Sequence, residues 1–197
     1  MKDEKTIRTF KELVMTLVEC LEAIKIPYVI VGGATVGAFG IGRSTEDVDV
    51  LIKLKTSEST RIQQLAKCFQ EKKLSVTAFE LKAGIEEKGH VTVFDTLNPM
   101  VRIDLNPIST AMGEITFQRR IHLDLFDLGK KIWINSPESL IAVKLSPGFL
   151  SERDLKDVKG ILFRSKETLD WDELRALCSK YEALEKLEEL ERQISYK

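Results

Sequence analysis

Apolar and polar positions along this chain fall into two periods, and the switches between them mark its elements. From Ile7 to Ile24 apolar side chains recur at Ile7, Phe10, Leu13, Val14, Leu17, Val18, Leu21 and Ile24. That is the spacing of one helix face and predicts a core-packing amphipathic helix. Tyr28–Val31 reads YVIV and is β-rich, and Gly32 and Gly33 end it. The following ATVGAFG, from Ala34 to Gly40, is small and apolar enough for a short buried helix despite its glycines. DVDVLIK, from Asp47 to Lys53, then alternates with period two and predicts a strand.

The segment Thr56–Lys73 opens with capping-type residues and sets Ile62, Leu65, Ala66 and Phe69 on one face, so a second amphipathic helix is expected. Strands are expected at Leu74–Phe79, His90–Phe94 and Met100–Leu105, with Asn98 and Pro99 turning the last two into a hairpin. A further strand is predicted at Lys130–Asn135. Beyond it every segment reads as helix. Ser136 caps the first, with Pro137 at a position where its missing amide hydrogen does no harm. Ser151 and Asp154 have the spacing of a capping box for the second. Asp170–Tyr181 and Glu182–Ile194 supply two more. The pattern predicts an α+β protein: a small mixed β-sheet flanked by helices in residues 1–135, and a helical C-terminal region in 136–197.

Composition narrows the classes of function. The formal net charge of the 197 residues is -1, which gives no broad attraction to nucleic acid, although Arg119, Arg120, Lys130 and Lys131 form a local basic cluster with room for an RNA footprint. Cys20, Cys68 and Cys178 are scattered, with no pair at metal or redox spacing, so no disulfide framework is expected and a reducing, cytoplasmic setting fits. MKDEK leads into an amphipathic segment, and no apolar run reaches the ~18 residues of a spanning helix, so neither a leader nor a membrane anchor is expected. His90 and His122 stand apart, without zinc-ligand spacing.

The chemistry concentrates around Asp47 and Asp49. Two apart on a strand, they point to one face while Val48 and Val50 point to the core. Two readings stand at this point: the polar face of a half-exposed strand, or a carboxylate pair that needs a cation between its members. Magnesium, with oxygen ligands and open positions for phosphate, suits the second. A two-ion site needs a third carboxylate. Asp104 in VRIDLN, flanked by Ile103 and Leu105, is favoured over Asp95, which closes the preceding strand. Gly32 and Gly33 would let backbone amides approach a triphosphate, with Thr35 adding a hydroxyl. Gly37–Ser44 nearly matches a phosphate-binding loop, but Arg43 replaces its lysine and a strand follows where a helix is required.

Taken together, the glycine pair, then R-S-T-E-D-V-D-V, then R-I-D-L resembles the DNA polymerase beta-like nucleotidyltransferase superfamily. Within it, Gly32 and Gly33 with Arg43, Thr45, Asp47 and Asp49 resemble the branch of AbiEii toxin-type proteins. Lys144 in SLIAVKL and Arg153, Asp154 and Asp157 in ERDLKDV look like that branch's helix lysine and R-D-x-x-D stretch. The resemblance spans roughly Tyr28 to Phe163 and implies a nucleotidyltransferase fold. It also implies a two-ion magnesium site, with manganese as a substitute, at Asp47, Asp49 and Asp104, with Gly33 and its neighbours on the triphosphate. Lys144 would neutralise phosphate charge, and Arg43, Thr45, Asp154 and Asp157 would complete the nucleotide site. The residues alone also allow Asp154 as a helix cap, Asp157 as a solvated side chain and Lys144 as a snorkelling one. The activity implied is magnesium-dependent transfer of a nucleotidyl group from a nucleoside triphosphate to an acceptor hydroxyl, on an RNA end or a protein side chain, with release of pyrophosphate. The alternative is a non-catalytic nucleotide-binding or antitoxin-binding protein, in which the acidic helix EALEKLEELER docks a partner.

Overall fold

The computed structural model describes residues 7–39, 42, 44–148 and 150–195. Helix α1 (Phe10–Ala23) starts where Thr9 and Glu12 form a capping box, so the predicted helix begins three residues inside its apolar run. Strand β1 (Tyr28–Val31) leads through Gly32 into α2 (Gly33–Val36) and a 3-10 turn, Gly37–Phe39. Then follow β2 (Asp47–Ile52), α3 (Ser59–Glu71), β3 (Leu74–Ser75), α4 (Ala78–Glu86), β4 (Val91–Asp95) and β5 (Arg102–Pro107). Helix α5 (Ala111–Gln118) and strands β6 (Ile121–Leu123) and β7 (Ile132–Ile134) complete the mixed part. Helices α6 (Pro137–Leu145), α7 (Glu152–Ser165), α8 (Trp171–Lys180) and α9 (Leu184–Ser195) follow. The fold is α+β, as expected.

The strands form one seven-stranded sheet in the order β3-β4-β5-β2-β1-β7-β6. The pairs β2–β5 and β1–β7 are parallel and the others antiparallel. Alternation gives the sheet an apolar and a polar face. Val48, Val50, Ile103, Leu105 and Val93 are buried among the side chains of α1 and α3, including Leu13, Leu17, Leu65 and Phe69. Asp47, Asp49, Arg102 and Asp104 occupy the alternate, half-buried positions. A second apolar cluster joins Val36 of α2 to α6, α7, α8 and α9. Leu187 and Leu190 of α9 are buried in it, so the apolar side of the acidic helix is used within the chain.

Sequence and structure part at three elements. Leu74–Phe79 is not one strand: β3 stops at Ser75, and Thr77 and Glu80 form a capping box that opens α4. The T-x-x-E spacing was the signal for that start. Helix α5, capped by Thr110, and the short β6 lie where no element is expected.

The cysteines give a correction. Cys20 on α1 and Cys68 on α3 form a disulfide across 48 residues of sequence, whereas the linear spacing predicts none. Helix packing brings the two together, which spacing cannot reveal. The pairing also removes the ground for expecting a reducing compartment. Cys178 is a buried free thiol, pushed up to about 12 by burial and then by the negative charge of Glu191. Among the described residues no helix is long and apolar enough to cross a membrane. Reduction, or Cys20→Ser, is expected to destabilise the protein by about 2–4 kcal/mol for a closed loop of this size, read as a lower Tm with reductant than without it.

Candidate functional site

Parallel pairing of β2 with β5 sets Asp47 opposite Arg102 and Asp49 opposite Asp104. Register partners on adjacent strands share a face, so three carboxylates and a guanidinium meet on the polar face of the sheet. Arg102 lies 2.8 Å from Oδ2 of Asp47 and 3.7 Å from Oδ2 of Asp104, bridging the two. From β4, the Thr92 hydroxyl donates to Oδ1 of Asp104 at 2.7 Å. Oδ1 of Asp47 is buried and accepts no hydrogen bond among the described residues. With a cation already bridging two of the carboxylates, no group of three acidic, histidine or cysteine side chains among the described residues is gathered at coordinating distance. Asp95, the rival third carboxylate, is fully buried, paired with Arg8 at 3.4 Å and accepting the Leu97 amide at 2.8 Å. Asp104 is therefore the carboxylate beside Asp49.

The glycine turn is fitted against these groups. Gly32 has φ 70°, and a Cβ on it would stand 2.3 Å from Oδ2 of Asp49. Only glycine meets both the backbone and the space requirement here. Gly33 starts α2 and is buried. Thr35 is fully buried, and its hydroxyl donates to the Gly32 carbonyl at 3.0 Å, so it shapes the turn. Thr45 likewise donates to the Asp47 carbonyl at 3.2 Å, fixing the entry to β2. Arg43 lies outside the described residues, as do Gly40 and Ile41 of the loop that imitates a phosphate-binding motif.

Across from the turn, α6 and α7 build the other wall. Lys144 is buried, and its ammonium donates to Asp154 at 2.5 Å and to Asp157 at 3.0 Å. Ser151 caps α7 by accepting the Asp154 amide at 3.1 Å, while the Asp154 carboxylate turns to Lys144 and to the Ser151 hydroxyl. Burial pushes the Asp154 carboxyl up, but hydrogen bonds from Lys144 and Ser151 and the Lys144 charge outweigh it and hold the group below its ordinary value. Arg153 donates to the Ser44 carbonyl at 3.3 Å, tying α7 to the loop before β2.

Between these walls lies a cavity of about 650 Å³. Gly32, Gly33, Asp49, Lys144 and Asp154 line it, together with Asn106, Asn135 and Ser139, which the sequence did not single out as site residues. For Asn135 a signal existed: a polar side chain closing an apolar strand just before a helix cap. The family described as "Nucleotidyltransferase of unknown function (DUF6036)" matches residues 5–197. The chain belongs to this nucleotidyltransferase family. Among curated proteins, none matches this family member in sequence.

Solved structures share its fold. The antibiotic-resistance factor ANT(2'')-Ia in solution is similar over 95% of this chain and 97% of its own, with 13% identity and a TM-score of 0.56. An antigenic nucleotidyltransferase-like protein from Paracoccidioides brasiliensis covers 98% and 93%, with 20% identity and a TM-score of 0.56. The lincosamide antibiotic adenylyltransferase LnuA, lincomycin-bound, covers 78% and 96%, with 19% identity and a TM-score of 0.53.

Three residues of the basic cluster of this DUF6036 chain are engaged internally, while Lys131 is exposed. Arg119 pairs with Glu173 and Lys130 with Glu22. Arg120 lies over the rings of Phe117 and Trp133, at 3.9 and 4.7 Å from their centroids.

Two outcomes follow from this geometry. Gly32→Ala is expected to destabilise the fold by about 1–3 kcal/mol through the left-handed backbone and the contact with Asp49, measured by urea unfolding. Because the folded state depresses the Asp154 carboxyl, its stabilising contribution is present above the ordinary carboxylate range and lost as pH falls through the depressed value. Asp154→Asn is therefore expected to flatten the loss of stability below about pH 4, read from Tm against pH.

Proposed function

We propose that this cavity binds a nucleoside triphosphate with magnesium and that the chain transfers its nucleotidyl group to an acceptor hydroxyl, as in the AbiEii toxin-type branch. One observation carries the reading: Asp49 and Asp104 stand side by side on parallel strands, against a glycine turn that leaves no room for a Cβ. The donor set fits a divalent ion. It offers hard carboxylate oxygens, one of them buried on Asp47 without a hydrogen-bond partner among the described residues, in a cluster that already needs the Arg102 charge for balance. Asp47, Asp49 and Asp104 would hold the ion, which when bound supplies polarisation of the phosphoryl oxygens and neutralises developing charge.

The rest is the work of the chain's own groups. Asp104, oriented by the Thr92 hydroxyl, would take the proton of the acceptor hydroxyl. The acceptor oxygen bonds to the α-phosphorus as the bond to the bridging oxygen breaks, and pyrophosphate leaves. Backbone amides at Gly32 and Gly33 approach the triphosphate where side chains are absent. Lys144, held in place by Asp154 and Asp157, balances charge on the departing phosphates. Thr45, bonded to the Asp47 carbonyl, shapes the entry to β2, and Arg43 would add its charge to the nucleotide site as the resemblance implies.

One of the structural neighbours, ANT(2'')-Ia, has been solved with adenylyl-2''-tobramycin, and LnuA with lincomycin. Internal engagement of Arg119, Arg120 and Lys130 favours a compact hydroxyl-bearing acceptor or a protein side chain over an RNA end. The antitoxin-partner reading draws no support from α9, whose leucines pack within the chain.

Asp49→Asn is expected to abolish transfer from a labelled triphosphate while leaving the thermal transition in place; undiminished transfer would sink the mechanism. Arg102 must yield Asp47 and Asp104 to an arriving ion. Arg102→Gln is accordingly expected to bind manganese alone several-fold more tightly, followed by electron paramagnetic resonance, and equal or weaker binding would argue against a shared site.

A further inference from the structure

One residue of the cavity wall carries a buried acceptor atom with no donor among the described residues. Asn135 is 1% exposed and lines the cavity. Its Nδ2 donates to the Ser136 carbonyl at 3.3 Å, which fixes the orientation of the amide, since the reversed group would set oxygen against oxygen. That leaves Oδ1 buried and without a hydrogen-bond donor among the described residues. Buried polar groups are almost always paired, so a cavity-lining exception points to a ligand that completes it.

Position says which part of a ligand. The Asn135 backbone N–H donates to the Ile30 carbonyl at 3.1 Å, and Ile134 is the register partner of Ile30. Asn135 therefore stands beside Val31, which is itself opposite Asp49, and Asp49 is opposite Asp104. The row places Asn135 two strand spacings, roughly 10 Å, from Asp49 on the side away from Asp104. Lys144 lies on α6, which begins two residues after Asn135, and stands roughly 10 Å along that helix from Pro137 at 1.5 Å per residue.

A triphosphate at neutral pH carries acceptor oxygens only and cannot satisfy Oδ1. The nucleoside carries donors, and the ribose is the part next to the α-phosphate. We infer that Asn135 Oδ1 accepts a hydrogen bond from a ribose hydroxyl of the bound nucleotide and makes the site select ribonucleotides over their deoxy forms. The buried Ser139, one turn along α6 and lining the same cavity, adds a hydroxyl to that end. The nucleoside then lies at the start of α6 and the phosphates run towards Lys144.

This inference rests on the nucleotide reading of the cavity. The test is calorimetric binding of the four ribonucleoside triphosphates with magnesium, then of the 2'-deoxy, 3'-deoxy and 2',3'-dideoxy forms of the tightest one. Each is measured on the intact chain and on Asn135→Leu and Asn135→Ser, with inorganic tripolyphosphate as the reference for the phosphate end. The wild-type chain is expected to bind the ribonucleotide about ten-fold more tightly than the dideoxy form, as for one hydrogen bond to a buried acceptor. Either variant is expected to remove that ratio and leave tripolyphosphate affinity unchanged. Equal binding of ribo and dideoxy forms by the wild type, or a ratio that survives both substitutions, overturns the assignment while leaving the nucleotide site standing. Discrimination only between bases with and without an exocyclic amine overturns the ribose contact. A wild-type chain that binds no triphosphate overturns the nucleotide reading and this inference with it.

Discussion

The parallel register of β2 and β5 is the constraint on which the site depends. It forces Asp49 and Asp104 onto the same level of the same face, with Asp47 one step away. Like charges at that spacing repel, and the fold tolerates them because Arg102, opposite Asp47 in the same register, bridges two of the three. The negative charge gathered on this face is balanced by a residue from the strand that helps create it. The apolar face beneath, Val48 against Ile103 and Val50 against Leu105, holds the register, because a slip by one residue would turn the carboxylates into the core.

The second constraint is the approach of Gly32 to Asp49. A positive φ and a missing side chain bring backbone amides beside the carboxylate, and α2 follows at once with Val36 anchored in the apolar cluster of α6, α7, α8 and α9. The same cluster carries Lys144. The short α2 thus links the two walls of the cavity, and packing away from the carboxylates sets the distance between the glycine turn and the lysine. Lys144 is buried with two carboxylates, an arrangement in which the desolvation of its charge is offset only while both partners stay in place.

Much of the site was legible because it is written in local periods. Alternation around Asp47, Asp49 and Asp104 gives their facing directly, and the R-D-x-x-D spacing puts Asp154 and Asp157 about one helical turn apart. Asp104 over Asp95 followed from which neighbours are apolar, and the register bears out that facing. Arg102 was equally visible, two residues before Asp104, yet its bridging role depends on strand pairing. The short α5 and β6 escaped because each is brief and weakly periodic. Helix α4 escaped because an apolar run hid the capping box that starts it.

By itself the sequence determined the α+β class, the glycine turn, the facing of the carboxylates and the helix that carries Lys144, since each rests on contacts between near neighbours. Only the tertiary structure decided that Cys20 meets Cys68, that Arg119 and Lys130 are paired internally, that Arg102 bridges Asp47 and Asp104, and that Asn135 is left with an acceptor unmatched among the described residues. These depend on residues far apart in the chain, and the physical quantity that settles them, the distance between groups on different elements, exists only once the sheet register and the helix packing are fixed.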